Sequence, residues 1–393
     1  MTLSWWIFLA ASGAVFYFLL GYPLLLRWMP VRIRGVAKDD RHVPSVTVLM
    51  AVHNGEAFLA ERLENLLALD YPRELLEIFV LSDGSTDETD AIAQSYAHQG
   101  VHLLRLPRGG KAAALNAGMQ KAEGEILLFC DVRQRFDSQA LRELTANFAD
   151  PLVGVVTGEL RILKPDGAMG EQADMDLYWR YEIWVRRIHS AIWSLFNTTG
   201  CIYAMRRNLA QPLPPGTLGD DAALPLLAYR RGYRILFEPN AIAYDYPTKT
   251  GGEFRRRMRT MSGAWQVWSR FPALLFPIHR MWLHFFSHKL GRLLLPWVFI
   301  VAIVSSFFLP TSPWKWLILS AEAAFFLLAA LDATLPKSFP LRRVSSLCRT
   351  FLVMNWAALL SMRVFFVSPQ AMWANPTKVD RLTLPGQETS SGR

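Results

Sequence analysis

The stretch FCDVRQRF ends an apolar run on Asp131 and follows it with Arg133. Hard divalent cations such as Mg2+ or Mn2+ take oxygen ligands and are commonly held by one or two carboxylates plus substrate phosphates. Asp131 is therefore a candidate metal ligand, and Arg133 a candidate bidentate phosphate contact. The structural alternative is that Asp131 caps the next segment and Arg133 lies on the surface. LSDGSTDET offers Asp83, which could accept from a nucleobase or ribose edge. The same string is also a turn feeding a helix, with Ser85, Thr86 or Asp87 as N-cap. RGGKAAALNAG sets a glycine pair before Lys111 without the spacing of a P-loop. The pair would let the ammonium swing onto a diphosphate; otherwise Lys111 is a solvated residue in the first turn of a helix.

LGDDAALPL puts Asp220 and Asp221 at a helix start, where the dipole stabilises carboxylates and capping suffices as an explanation. One of them could equally serve a substrate hydroxyl as general base, given hydrogen-bond reach. EFRRRMRTMSGAW crowds Arg255, Arg256, Arg257 and Arg259 too densely for one helix face. They are either a solvated basic helix at a membrane surface or, in part, the charge that neutralises a departing diphosphate.

Elements that carry strand-end groups alternate from Ser45 onward. SVTVLMAV, LEIFVLSD, VHLLRLP and EILLFCD are short β-branched or apolar runs, each followed by a helical period. Such alternation predicts βαβ units and a mainly parallel sheet, whose ligands bind beyond the carboxyl ends of the strands. His53-Asn54, Asp83-Gly84-Ser85 and Asp131 all fall at that edge. After Asp150 the elements are mixed: VGVVTGELRIL, the amphipathic DMDLYWRYEIWVRRIHSAIWSLF, NTTGCIYAMRR and a helix opening at Asp221.

The chain has 393 residues, 52% hydrophobic, with a formal net charge of +9. Ser4–Leu26 is uncharged and close to the roughly 20 residues that cross a bilayer core, which predicts an anchor rather than a cleaved signal. Leu290–Leu309, Trp314–Leu335 and Leu347–Val367 are further candidate spans, the last carrying Arg349 and Arg363. RWMPVRIRG and LPKSFPLRRVSS place the central domain in the cytoplasm and the N-terminus outside by the positive-inside rule, with the tail from Ser368 outside as well. Phe271–His288 mixes aromatics, prolines and histidines, as expected of a segment in the headgroup layer; a buried helix hairpin is the alternative. The predicted organisation is an anchor over 1–30, a cytoplasmic α/β domain over 31–265, an interfacial amphipathic segment over 266–289, about three spans over 290–368 and a polar, disordered tail over 369–393. The basic charge borders apolar spans and no nucleic-acid-binding motif is present, so no nucleic acid partner is expected. Cys130, Cys201 and Cys348 are isolated, with no C-x-x-C, so neither a disulfide framework nor a thiolate metal site is supported.

In family order, these stretches resemble the membrane-bound family 2 glycosyltransferases, the cellulose synthase and chitin or hyaluronan synthase relatives, over about Val46 to Gly263. VTVLMAVHNGEAFL is similar to the family's first strand and Tyr-Asn-Glu turn, with His53 and Gly55 replacing Tyr and Glu. LSDGSTDET and GKAAALN match the nucleotide-binding motifs. Asp131-Val132-Arg133 aligns on Asp-x-Asp and keeps only the first acid. NTTGCIYAMRR resembles the acceptor segment around Thr199-Gly200, GDDAALPL puts the family's base on Asp221, and Gln-Arg-x-Arg-Trp falls on Arg256 to Thr260 without its Gln and Trp.

The resemblance implies an α/β nucleotide-diphospho-sugar transferase fold of the GT-A type, flanked by transmembrane helices in a bacterial inner membrane. It implies Val52, His53, Asp83, Lys111, Asp131 and Arg133 for the nucleotide sugar, a UDP-sugar first among candidates. Thr199, Gly200, Asp220, Arg256, Arg257 and Arg259 are implied for acceptor or diphosphate, and Asp131 for Mg2+ or Mn2+. The expected reaction is inverting transfer of a hexosyl or N-acetylhexosaminyl group to a lipid or glycan acceptor at the membrane, non-processive because Gln and Trp are missing. A polyprenyl-phosphate sugar synthase, a processive exopolysaccharide synthase, a nucleotidyltransferase and a non-catalytic nucleotide-sugar-binding scaffold are the rival readings.

Overall fold

The computed structural model describes residues 2–29, 34–163, 177–246, 253–336 and 340–367. The predicted tail, 369–393, lies outside the described residues. The runs read as strands form a single sheet with β1 Val46–Val52, β2 Leu76–Asp83, β3 Val101–Leu106, β4 Ile126–Cys130, β5 Arg135–Phe136, β6 Val153–Ile162, β7 Ile202–Arg206 and β8 Arg234–Asp245. Their order is β3-β2-β1-β4-β7-β6-β8-β5.

The first four strands are parallel. Successive residues of β1 and β4 point to opposite faces: Leu49, Leu127 and Phe129 enter one core, Val48, Met50, Leu128 and Cys130 the other. Helices cover both faces, so these strands are apolar throughout rather than alternating. Register does the positioning. Val52 pairs with Ser82, Met50 with Cys130 and Asp83 with Leu106. The residues that follow β1, β2 and β4 therefore emerge side by side at one edge.

The parallel order breaks at β4. β7 runs antiparallel to it, with Cys130 opposite Ile202. The start of β7, and with it Thr199-Gly200, therefore lies beside the end of β4 at Asp131. Beyond β7 the sheet is mixed: β6 is antiparallel to β7 and parallel to β8, and β5 is antiparallel to β8.

Four described helices are long and apolar enough to cross a membrane: Leu3–Trp28, Trp282–Phe307, Pro313–Leu331 and Arg342–Phe365. They expose Trp6, Leu20, Phe307 and Leu327 over apolar surface that water would penalise. Two of them start earlier than the sequence suggests, at Trp282 rather than Leu290 and at Arg342 rather than Leu347. The early start at Trp282 has a local cause. His284 meets Tyr22, and His288 meets Glu182, so both imidazoles are buried with partners inside a continuing helix. Of the segment assigned to the headgroup layer, Pro272–Leu275 forms a single turn ahead of that helix.

Candidate active site

Asp83, at the end of β2, is 3% exposed and fully engaged. Its Oδ1 accepts from the N–H of Gly109 at 2.7 Å and of Gly110 at 3.0 Å, and Oδ2 is paired with Arg108. Gly110 takes φ +85°, a left-handed conformation that turns its N–H onto Asp83. Asp83 thus fastens the glycine loop, and the loop starts the helix Lys111–Lys121. The neighbouring turn is equally bound: His53 Nδ1 lies 2.9 Å from the Asp83 carbonyl, and Asn54 Oδ1 accepts from Thr86 N–H at 2.9 Å. Val52 is buried at the end of β1. The residue at the N-cap of the helix Thr89–Ser95 is Glu88, not Ser85, Thr86 or Asp87; Asp87, one residue earlier, accepts from the N–H groups of Thr89 and Glu56 at 3.1 Å each and ties two helix starts together.

Lys111 is the hinge of the site. Its ammonium lies 3.0 Å from Asp131 Oδ1 and 3.4 Å from Asp220 Oδ2, joining an end of the parallel half of the sheet to the helix Asp220–Arg230. Burial alone would favour the neutral amine, but Asp131 and Asp220 outweigh it and hold the lysine firmly protonated. The Asp131 side chain is 42% exposed, and its Oδ2 accepts no hydrogen bond among the described residues.

Asp221 stands on the other side. Its main-chain carbonyl accepts from both N–H and Oγ1 of Thr198 at 2.8 Å. A Cβ on Gly200 would lie 3.3 Å from Asp221 Oδ2, so glycine is what leaves space over the carboxylate. Burial, then Asp220, pushes the Asp221 carboxyl up to about 6, while Lys111 and Arg186 restrain it. Thr199 donates its N–H to Thr157 Oγ1 at 2.8 Å and accepts from Arg186 at 2.7 Å.

The remaining arginines divide. Arg133 pairs with Asp245, which also accepts from Gln134 at 2.9 Å, so it is bound to the end of β8. Arg257 donates to Met354 Sδ at 3.1 Å, toward the helix Arg342–Ser361. Arg259 is half-buried on the helix Glu253–Arg270, which also carries Arg256, whose side chain lies outside the described residues.

Sequence reasoning passed over Arg186 and Tyr203. Tyr203 stacks on Phe129 with centroids 4.6 Å apart, and burial, with Asp220, Asp221 and Asp131, raises its phenol well above the usual range. Its position in β7, opposite Phe129, follows from the antiparallel register. Arg186 had one sequence signal, a carboxylate four residues before it on an amphipathic stretch.

Among the described residues, no group of three or more His, Cys, Asp or Glu side chains could hold a metal by itself. A single half-exposed carboxylate with a spare oxygen still suits Mg2+ or Mn2+, provided diphosphate and water complete the shell.

Residues 47–213 match the glycosyl transferase family 2 profile; Asp220, Asp221 and the arginine helix lie beyond that stretch. The chain is 26% identical over 259 residues to the probable glycosyltransferase YdaM of Bacillus subtilis (strain 168), covering 62% of this chain and 60% of that relative. It is 25% identical over 315 residues to the poly-beta-1,6-N-acetyl-D-glucosamine synthase of Staphylococcus aureus (strain COL), covering 73% and 74%. The same fold occurs in the mannosyltransferase PcManGT from Pyrobaculum calidifontis, solved with GDP-Man and Mn2+, at a TM-score of 0.71 and 23% identity over 93% of this chain and 99% of that one. Strand order, strand-end chemistry and these likenesses agree: residues 47–213 are a family 2 glycosyltransferase domain of the GT-A fold, in a chain that also carries helices of membrane-spanning length.

Proposed function

We propose that the chain transfers a sugar from a nucleoside diphosphate sugar to a hydroxyl of a membrane-associated acceptor, with inversion at the anomeric carbon. The observation that carries this reading is the double contact of Lys111 with Asp131 and Asp220. It brings the edge where a donor diphosphate would lie against the helix that bears Asp221.

In this mechanism Asp221 removes the acceptor proton as the oxygen attacks the anomeric carbon. The new C–O bond forms as the bond to the diphosphate breaks, the proton ends on Asp221, and the nucleoside diphosphate departs. A base whose pKa sits near the working pH is well matched to such a step. Lys111, fixed as a cation, meets the charge that develops on the leaving oxygen. Asp131 would hold a divalent ion, which when bound neutralises the diphosphate; Mn2+ in the PcManGT complex supports that role. His53 and the backbone after Val52 would face the nucleotide; Asp83, whose carboxylate is taken by Gly109, Gly110 and Arg108, would shape that edge from behind, and Asp220 would hold Lys111 in place through Oδ2. Arg133 would reach phosphate only by leaving Asp245. Arg256 and Arg259 would cover the diphosphate.

The four apolar helices and the flanking basic segments support a bacterial inner-membrane protein whose catalytic domain faces the cytoplasm. The acceptor would arrive from the membrane surface. One sugar, or a few, would be added per encounter, since the family's Gln and Trp are replaced. Repeated transfer is the second reading, favoured by the name of the staphylococcal relative, a polymer synthase, which also makes a UDP-N-acetylhexosamine the first donor to try.

The test incubates the full chain in detergent with a panel of nucleotide sugars and Mg2+ or Mn2+, measuring nucleoside diphosphate release with and without lipid extract, then product length and anomeric configuration. Metal-dependent release that rises with extract is expected. A product of retained configuration, or no release from any donor, overturns the reading.

A further inference from the structure

Helix Leu177–Ile192 presents one face to both the membrane helices and the acceptor segment. Glu182, Arg186 and His189 follow one another on that face at helical spacing. Glu182 accepts from Arg292 at 2.7 Å and lies 3.2 Å from His288 and 3.4 Å from Lys289, all on the helix Trp282–Phe307. Burial disfavours its charge, but Arg292, Lys289 and His288 outweigh burial and hold its carboxyl well below the usual range. His189 lies 2.6 Å from the hydroxyl of Tyr22, on the N-terminal helix. One turn beyond Glu182, the Arg186 side chain is 13% exposed, with Nε 4.0 Å from Glu182 and a terminal nitrogen donating to Thr199 Oγ1 at 2.7 Å.

We propose that Arg186 is a positioning residue for sugar transfer: it holds Thr199, the wall of the acceptor seat beside Asp221, and Glu182 ties it to a membrane helix. The inference rests on the acceptor reading of Thr199, Gly200 and Asp221. Thr198 is bound to the Asp221 main chain and Thr199 to Arg186, so the two sides of the seat are set by different anchors. Thr157 and Ile202 hold the Thr199 main chain, so releasing the arginine frees the Thr199 hydroxyl to turn against a base whose own position is unchanged, and transfer is steeply sensitive to such displacement. The groups facing the Asp221 carboxyl are Asp220, Lys111, Arg186 and Asp131. Arg186 lowers its proton affinity, so loss of the cation raises the pH at which the base becomes active.

The experiment uses the full chain in lipid nanodiscs with UDP-N-acetylglucosamine as donor and octyl β-N-acetylglucosaminide as acceptor. Arg186→Met should lower acceptor kcat/KM on the order of 100-fold, leave the donor Kd within about twofold, and move the acid limb of the pH profile upward by on the order of one unit. Arg186→Lys should restore the limb without restoring the full rate, because an ammonium lacks the planar fork. Thr199→Val should cost about tenfold alone and nothing further on top of Arg186→Met. An unmoved limb with additive losses overturns the proposal and leaves Arg186 a packing contact. If Arg186→Met does not fold, the cycle between Arg186→Lys and Thr199→Val decides: shared losses uphold the proposal and additive losses overturn it. A wild-type chain inert toward this donor and toward the whole panel of nucleotide sugars overturns the transferase reading itself, and this inference with it.

Discussion

The strand-end edge and the arginine helix carry equally suggestive residues, yet they are built differently. At the strand-end edge, Asp83 and Asp131 sit where strands end, Lys111 opens the helix that follows β3, and strand register fixes which ends are neighbours. Each charge there is engaged by backbone or by another charge across a few ångströms. On the helix Glu253–Arg270 side-chain direction is set by what packs nearby, and Arg257 turns to Met354 of a membrane helix. Charge placed by topology is committed to the cleft, whereas charge placed by helix packing is shared with the structure that anchors the domain.

The contrast predicts a graded series of effects. Asp221→Asn should remove most transfer, by on the order of 1,000-fold, with donor affinity retained; a nearly full rate would mean an acceptor, such as a lipid phosphate, that needs no base. Asp131→Asn should cost about 100-fold and raise the Mg2+ or Mn2+ concentration for half-maximal rate. Equal metal curves for the two proteins would move the ion away from that strand end. The pH profile of the unaltered chain should follow Asp221: with its carboxyl at about 6, the base form prevails above that pH, and kcat/KM falls about tenfold per unit below it. A rate flat down to pH 4.5 would contradict this assignment.

Gly200→Ala should be milder. Its Cβ would lie 3.3 Å from Asp221 Oδ2 and 3.4 Å from Asp221 Cβ, close enough to require a small shift. A loss of about tenfold in acceptor kcat/KM, with thermal stability nearly unchanged, would place the seat over that glycine. Loss of stability with normal kinetics in the surviving fraction would assign it to packing instead.

How much of this was legible in sequence follows the same division. The parallel half announced itself through apolar runs closed by polar residues, because a buried strand offers its polar groups only at its ends. The antiparallel insertion of β7 left no comparable mark: nothing in NTTGCIYAMRR states that Cys130 lies opposite Ile202, and that pairing is what carries Thr199 to Asp131. Tyr203 was invisible for the same reason. Nothing in FCDVRQRF shows the pairing of Arg133 with Asp245, because that carboxylate lies on a strand far along the chain. The helix at Trp282 starts early because His284 and His288 meet Tyr22 and Glu182, long-range contacts that no local pattern encodes.

Arg257 gives the smallest effect and the sharpest contrast. Its guanidinium donates to the sulfur of Met354, and its helix packs on the one that ends near Ser361, where Ser262 Oγ bonds the Ser361 carbonyl at 3.1 Å. Arg257→Met keeps much of the aliphatic stem and removes the charge, so the packing survives. If the arginine chiefly joins the domain to its membrane helices, kcat/KM should change by less than about threefold, with a fall of a few degrees in Tm. Diphosphate release reduced tenfold or more at unchanged Tm would instead put Arg257 on the leaving group, and the arginine helix would then belong to the cleft as fully as Lys111 does.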